Sequence, residues 1–294
     1  MAAKQATITG EEEALYNLTQ KKASWMVSGM PFIPSLTNFE KSIPKLATMF
    51  QGEFCWATCY DPEFAAELMY NGFLPMAMEA YGVEIITPKL HVRRSLVRFT
   101  DLPKPHKSTL KKAKKFEFTV DTDFKSVCEG IIEQHGPSWF YPKLVKLFTA
   151  MNSKFETGLL NGKVRVHSFE VWQDGNLVAG EAGYSCGKVY TSLSGFTRAD
   201  SAGTVQMYAM ASHLKSLGFV IWDLGMQLGY KEEEFGAKPV ARLDFLKLLQ
   251  QYRDDPVTGP IRMVDKRNCK SMLESLTTTT NGGPAKDVQM ADKE

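Results

Sequence analysis

Several residues of the 294-residue chain carry side chains able to act on an activated or charged substrate. Asp223 closes the apolar run FVIWD (Phe219 to Asp223) directly after a helix-patterned segment, which predicts a carboxylate at a strand end. A carboxylate there can take the proton that an attacking amine must lose, because an α-amino group of pKa about 8 is only partly neutral at pH 7. Gln227 follows four residues later and offers an amide to orient an ester or an amine. Ser194, Phe196 and Arg198 end a β-like run, where the ring can wall an apolar pocket and the guanidinium can pair with a phosphate or with Asp200. Trp139 can stack on a base or on an acceptor side chain. Each has a purely structural alternative: a strand-end ion pair for Asp223 and Arg198, a surface amide for Gln227, and core packing for Phe196 and Trp139.

A second signal is charge. Residues 89–115 hold ten Lys or Arg against one acid, Asp101, in a chain whose net charge is only +2, so the remainder is net acidic. A local basic patch of this kind suits a polyanion docking on one side. Arg93, Arg94, Lys111, Lys112, Lys114 and Lys115 can neutralise phosphates, with an affinity that falls steeply as salt rises. No aromatic side chains interleave with the basic run, so it would supply affinity rather than base identity.

The elements that must position these groups fall into a peripheral segment (1–29), an N-terminal α/β lobe (30–155), a second lobe (156–255) and an extension (256–294) disordered from about 277. Thr9 and Glu12 form a capping-box pattern for a first helix. Prolines 31, 34 and 44 predict extended, irregular chain, and Asp61-Pro62 opens a helix closed by Gly72. β-like runs at 83–88, 90–99 and 116–120 flank the lysine-rich segment, and helices are expected over 123–135 and 141–151. In the second lobe VRVHSFEVW, LVAGEAGYSC and KVYTSLSGF read as a three-stranded antiparallel meander turned at Asp174-Gly175 and Gly187. A helix capped by Ser201, the strand FVIWD and the amphipathic helix ARLDFLKLLQQY follow. The fold class is therefore α/β (α+β), with a mostly antiparallel sheet.

Composition and missing motifs narrow the function further. No apolar run reaches the roughly 18 residues that span a bilayer, and the first residues lack the basic-then-apolar order of a secretory signal, so a cytoplasmic protein without a membrane partner is expected. The five scattered cysteines suit reduced thiols; Cys55 and Cys59 lack the second ligand pair of a zinc site, so no metal is expected. GKS/T, GxGxxG, HExxH and GxSxG segments are absent, which removes support for nucleotide hydrolysis, hydride transfer, zinc proteolysis and serine hydrolysis.

Meander, helix, strand and helix is the order of the C-terminal half of GNAT-type N-acyltransferases. More specifically, LHVRRSLVRF (90–99), SWF (138–140), HSFEVW (167–172), SGFTRADSA (194–202) and FGAKPVARLDFL (235–246) occur in an order and spacing that resemble leucyl/phenylalanyl-tRNA protein transferases. NGFLP (71–75) resembles that family's N-terminal lobe, and the likeness runs from Pro62 to Tyr252. It implies a monomeric enzyme, without a separate cofactor, that moves a large apolar aminoacyl group from aminoacyl-tRNA to the N-terminal amine of an acceptor protein beginning with Arg or Lys. It also implies a catalytic role for Asp223 and aminoacyl and phosphate contacts for the residues named above. The family has a glutamine where this chain has Gly225, a glutamate facing the amine where it has Leu193, and an aromatic residue where it has Met76. Two other readings remain at this stage. One is an acetyl-CoA-dependent acyltransferase, although TRADSAGT offers only Gly203 for a pyrophosphate cradle. The other is a weakened protein that binds tRNA or an N-terminal peptide without transfer. The transferase reading leans on an apolar hollow beside Asp223.

Overall fold

The protein is described by a computed structural model over residues 10–49, 51–154 and 156–278. The N-terminal part contains α1 (Gly10–Ala23), α2 (Phe39–Met49), α3 (Pro62–Tyr70), the hairpin β1 (Ala77–Ala80) and β2 (Val83–Ile86), and β3 (Arg93–Arg98). Next come α4 (Lys107–Ala113), β4 (Glu117–Val120), α5 (Phe124–His135) and α6 (Pro142–Asn152). The meander is β5 (Val164–Gln173), β6 (Asn176–Cys186) and β7 (Val189–Thr197), followed by α7 (Ala202–Ser216), β8 (Ile221–Asp223) and α8 (Gly229–Phe235). β9 (Lys238–Ala241), α9 (Arg242–Tyr252), β10 (Met263–Asn268) and α10 (Cys269–Ser275) complete it.

Eight of these strands form one sheet in the order β10-β4-β5-β6-β7-β8-β3-β9, antiparallel except where β7 meets β8. Strands from before and after residue 155 thus lie side by side in the same sheet. α3, α5, α6 and α9 bury apolar side chains on one face, including Leu68, Ile131, Phe148 and Phe245. α4, α7 and α10 cover the other face with Ala113, Val205, Leu214 and Leu273. A central sheet covered on both faces explains why β5, β6 and the start of β7 are buried almost residue by residue instead of alternating. α1 packs separately, against Trp56 and the β1–β2 hairpin.

The local start and stop signals act as the chemistry requires. Asp61 accepts hydrogen bonds from the backbone N–H of Glu63 and Phe64, and Pro62 occupies the first turn of α3, where a missing N–H costs nothing. Gly72 has φ +88°, and a Cβ there would lie 2.9 Å from Leu246, so the turn needs glycine for both backbone and space.

The structure also departs from the sequence expectations. Residues 30–44 are expected to be irregular because of the prolines, yet 39–44 form the first part of α2; the Asn38 side chain accepts from the N–H of Lys41 and starts the helix. Ser201 does not cap α7: it sits at φ +64°, and its hydroxyl meets Asp200 and Lys112 instead. The capping-box residue Thr9 lies outside the described residues. So does the tail from 279 onward, while Thr277 and Thr278 still hydrogen-bond back to Glu274 and Ser275. Among the described residues, no helix is long and apolar enough to cross a membrane.

Candidate functional site at the split in the sheet

The parallel pairing of β7 with β8 lasts only three rungs, Val189↔Ile221, Tyr190↔Trp222 and Thr191↔Asp223. Beyond that point the chain after Asp223 stays with β3, since Leu224 N–H donates to the Ser95 carbonyl and Ser95 N–H to the Gly225 carbonyl, both at 2.8 Å. β7 runs on from Ser192 to Thr197 paired only with β6, and β7 and β8 diverge. Gly225 at φ +64° supports the turn away.

A cleft of about 1110 Å³ occupies this opening. It is larger than a site for one small ligand and has room for two reacting ends. Leu74, Met76, Trp139, Leu193, Phe196 and Phe235 supply apolar wall, and His91, Glu181, Ser192, Gln206 and Lys231 supply polar groups. Phe196 is held against the floor by two glycines: a Cβ at Gly130 or Gly180 would lie 2.6 Å or 2.9 Å from its ring. Trp139 stacks on Phe140 at 4.6 Å with a 9° interplanar angle, which fixes its indole at the rim.

The polar wall is pre-arranged. Glu181, only 4% exposed in the middle of β6, accepts from the Tyr190 hydroxyl at 3.0 Å and from Ser192 Oγ at 2.5 Å. Ser192 Oγ itself accepts from Trp222 Nε1 at 2.9 Å. Burial pushes the Glu181 carboxyl up to about 7, and hydrogen bonds from Ser192, Tyr190 and Gln206 together with the Lys231 charge keep it from rising further. Lys231 donates to the Leu224 and Met226 carbonyls at 2.6 Å and 2.9 Å and so ties α8 to the strand end; burial lowers its pKa. Burial, with the charges of Arg94 and Lys89, brings His91 down to about 4, so it is neutral at pH 7.

The structure distributes the residues expected from sequence unevenly. Trp139, Ser194, Phe196 and Arg198 line the cleft. Arg198 pairs with Glu133, not with Asp200, and its guanidinium lies 4.7 Å over the Phe196 ring. Asp200 instead meets Lys112 at 3.0 Å. Arg93, Lys111, Lys112, Lys114 and Lys115 are exposed, with Lys111 and Lys112 on α4 and Lys112 reaching the cleft rim at Asp200 and Ser201. Arg94 is a correction: it is 0% exposed and no phosphate can reach it.

Asp223 is a correction too. Asp223 is 0% exposed and lies outside the cleft wall; it is sealed by Arg94, by Thr191 Oγ1 at 3.2 Å and by the Gly225 N–H at 2.9 Å. The apolar hollow exists one rung away, but this carboxylate does not face it. Gln227 is exposed and also lies outside the wall. Sequence reasoning passed over Glu181, His91 and Lys231. The available signal was Glu181 itself, a charged residue between small ones in AGEAG at the centre of a meander strand, where an unpaired charge is costly.

A second polar cluster lies outside the cleft. His167 meets Asp121 at 2.8 Å and Ser185 at 3.1 Å, the contacts of a hydrolase triad, yet His167 and Ser185 are 1% and 4% exposed. Sealed inside the sheet, these three join the end of β4 to β5 and β6.

Comparison with known proteins gives a consistent answer over the residues that build the cleft. The family model described as leucyl/phenylalanyl-tRNA protein transferase matches residues 88–250. A leucyl/phenylalanyl-tRNA–protein transferase of Pseudomonas aeruginosa is 31% identical over 173 residues, 59% of this chain and 69% of the relative. One from Shewanella halifaxensis is 30% identical over 217 residues, 72% of this chain and 78% of the relative. The match spans β3 through α9 and does not depend on Asp223 facing the hollow: the chain belongs to the leucyl/phenylalanyl-tRNA protein transferase family.

Proposed function

We propose that the cleft brings an apolar aminoacyl group, esterified to the 3′ end of a tRNA, together with the N-terminal amine of an acceptor protein, and that the acyl group passes from the ribose oxygen to the nitrogen. One observation carries this reading: the apolar cleft opens beside the exposed lysines of α4, with Lys112 bonded to the cleft-lining Asp200. Phe196, Trp139, Leu193 and Met76 wall a space suited to a Leu or Phe side chain, and the lysines approach the phosphates behind it. The ester already carries the activated acyl group, so the chemistry calls for no cofactor.

The acceptor begins with Arg or Lys in this reading. Supporting it, Asp200 and Glu234 line the cleft as carboxylates, and Glu234 has a buried oxygen without a hydrogen-bond partner. In this reading the protein works as a monomer in the cytoplasm, where charged tRNA is available. The test is incubation with leucyl-tRNA carrying labelled leucine and a peptide beginning with Arg. Label is expected in the peptide, and acetyl-CoA is expected to leave thermal unfolding unchanged. The sealed Asp223 favours one rival, a protein that binds both partners without transfer; retained tRNA binding with no labelled peptide would establish it.

A further inference from the structure

We infer that Glu181 is the catalytic base of the transfer, taking the proton from the acceptor's attacking nitrogen; this rests on the transferase reading above. Three carboxylates line the cleft. Asp200 is neutralised at the rim by Lys112, and Glu234 lies beside His106 with its side chain 25% exposed. Glu181 alone is both buried and set in the polar wall between the diverging strands. The nearby Lys231 ammonium donates to two carbonyls and acts on Glu181 only through its charge. Its position is fixed from three elements: Tyr190 and Ser192 on β7, Trp222 on β8 through Ser192, and Gln206 on α7.

The reaction balances through this one group. As the amine lone pair attacks the ester carbonyl carbon, the C–N bond forms and the nitrogen must lose a proton. The Glu181 carboxylate takes it and returns it to the ribose oxygen as the C–O bond breaks. Products are an amide, a free tRNA 3′ end and an ionised Glu181. A base works best when its affinity for protons is near that of the group it serves and near the working pH. Glu181, raised to about 7, sits far closer to an α-amine of pKa about 8 than an ordinary carboxylate does. The titratable groups facing it are Tyr190 on β7 and Tyr230 and Lys231 on α8. The two tyrosines stay protonated, because burial raises both.

The test is single-turnover transfer of labelled leucine from leucyl-tRNA to an Arg-initiated peptide between pH 5.5 and 9, by the full chain and by Glu181→Gln and Glu181→Asp. Glutamine keeps acceptor oxygen for Ser192 and Tyr190 but cannot take the proton. Glu181→Gln is expected to slow transfer about 100-fold or more, the low end of a lost general base, with leucyl-tRNA affinity within about threefold of the parent. Glu181→Asp should recover part of the rate. Below pH 6.5 the parent's rate should fall about a hundredfold per pH unit, because the acceptor amine and Glu181 both gain a proton, and Glu181→Gln should keep only the roughly tenfold fall that the amine imposes. Transfer by Glu181→Gln within tenfold of the parent, or an acid limb as steep as the parent's in the variant, overturns the assignment. A parent rate that falls only about tenfold per pH unit below pH 6.5, as the amine alone requires, overturns it whether or not the variant folds. Absence of any transfer by the parent instead defeats the transferase reading, and the inference with it.

Discussion

Arg94 on β3 and Asp223 on β8 form an ion pair in which both side chains are 0% exposed, 129 residues apart in the chain. Arg94 also donates to the Gly72 carbonyl and lies 4.2 Å over the Phe245 ring, so one guanidinium joins β3, β8, the end of α3 and α9. Removing either charge leaves the other buried and unpaired. Arg94→Leu and Asp223→Leu are each expected to cost about 3–5 kcal/mol in urea unfolding, and the double replacement clearly less than the sum. Equal costs for the double variant and the sum would show that the pair is not coupled.

The same relationship shows what a single sequence conceals. Arg94 and Asp223 each carry a plausible chemical role, one toward phosphate and one toward an amine, and nothing local reveals that they face each other. By contrast, the meander is legible because Asp174-Gly175 and Gly187 mark its turns and all three strands are long. β9 and β10 are not: β9 contains Pro239 at an edge, and β10 buries only Met263, so neither shows an apolar alternation. The apolar cleft wall at Phe196 was readable from SGFTR. The polar wall was not, because Glu181 on β6, His91 just before β3 and Lys231 on α8 are far apart in the chain and gain meaning only when the sheet splits.

Gly130 lies inside α5, where alanine normally favours the helix by about 1 kcal/mol. Here its Cβ would stand 2.6 Å from the Phe196 ring and push that ring into the cleft. Gly130→Ala is therefore expected to lose about 1–3 kcal/mol and to reduce transfer of Phe more than of Leu. Unfolding curves and a pair of donor tRNAs measure both effects; a stabilised variant with unchanged donor preference would contradict the packing argument.

Glu170, buried on β5 among Thr119 and Ser168, is raised by desolvation from 4.5 to about 7. Between those values the folded protein keeps a proton that the unfolded chain has lost. Its contribution to stability is complete below pH 4.5 and is lost as pH rises through 7. Across pH 5 to 8, Glu170→Gln should lose less stability than the parent, by on the order of 3 kcal/mol. Parallel stability curves for the two proteins would show that Glu170 does not titrate in this range.

The lysines of α4 predict a salt effect separable from chemistry. Lys111→Ala is expected to weaken tRNA binding and to reduce the slope of log affinity against log salt by about 0.7–0.9. Transfer at saturating tRNA should be unchanged. Filter binding at a series of salt concentrations checks it, and an unaltered slope would place the phosphates elsewhere.

The divergence of β7 from β8 has a mechanical corollary. One more rung of pairing would draw residue 224 away from Ser95 and pull on a charge locked to Arg94 on the neighbouring strand β3. The backbone therefore cannot zip shut when the cleft is empty, nor does it need prising apart when a substrate arrives. Organisation of the reacting space is settled during folding, and encounter with tRNA and peptide spends little of its binding energy on making room.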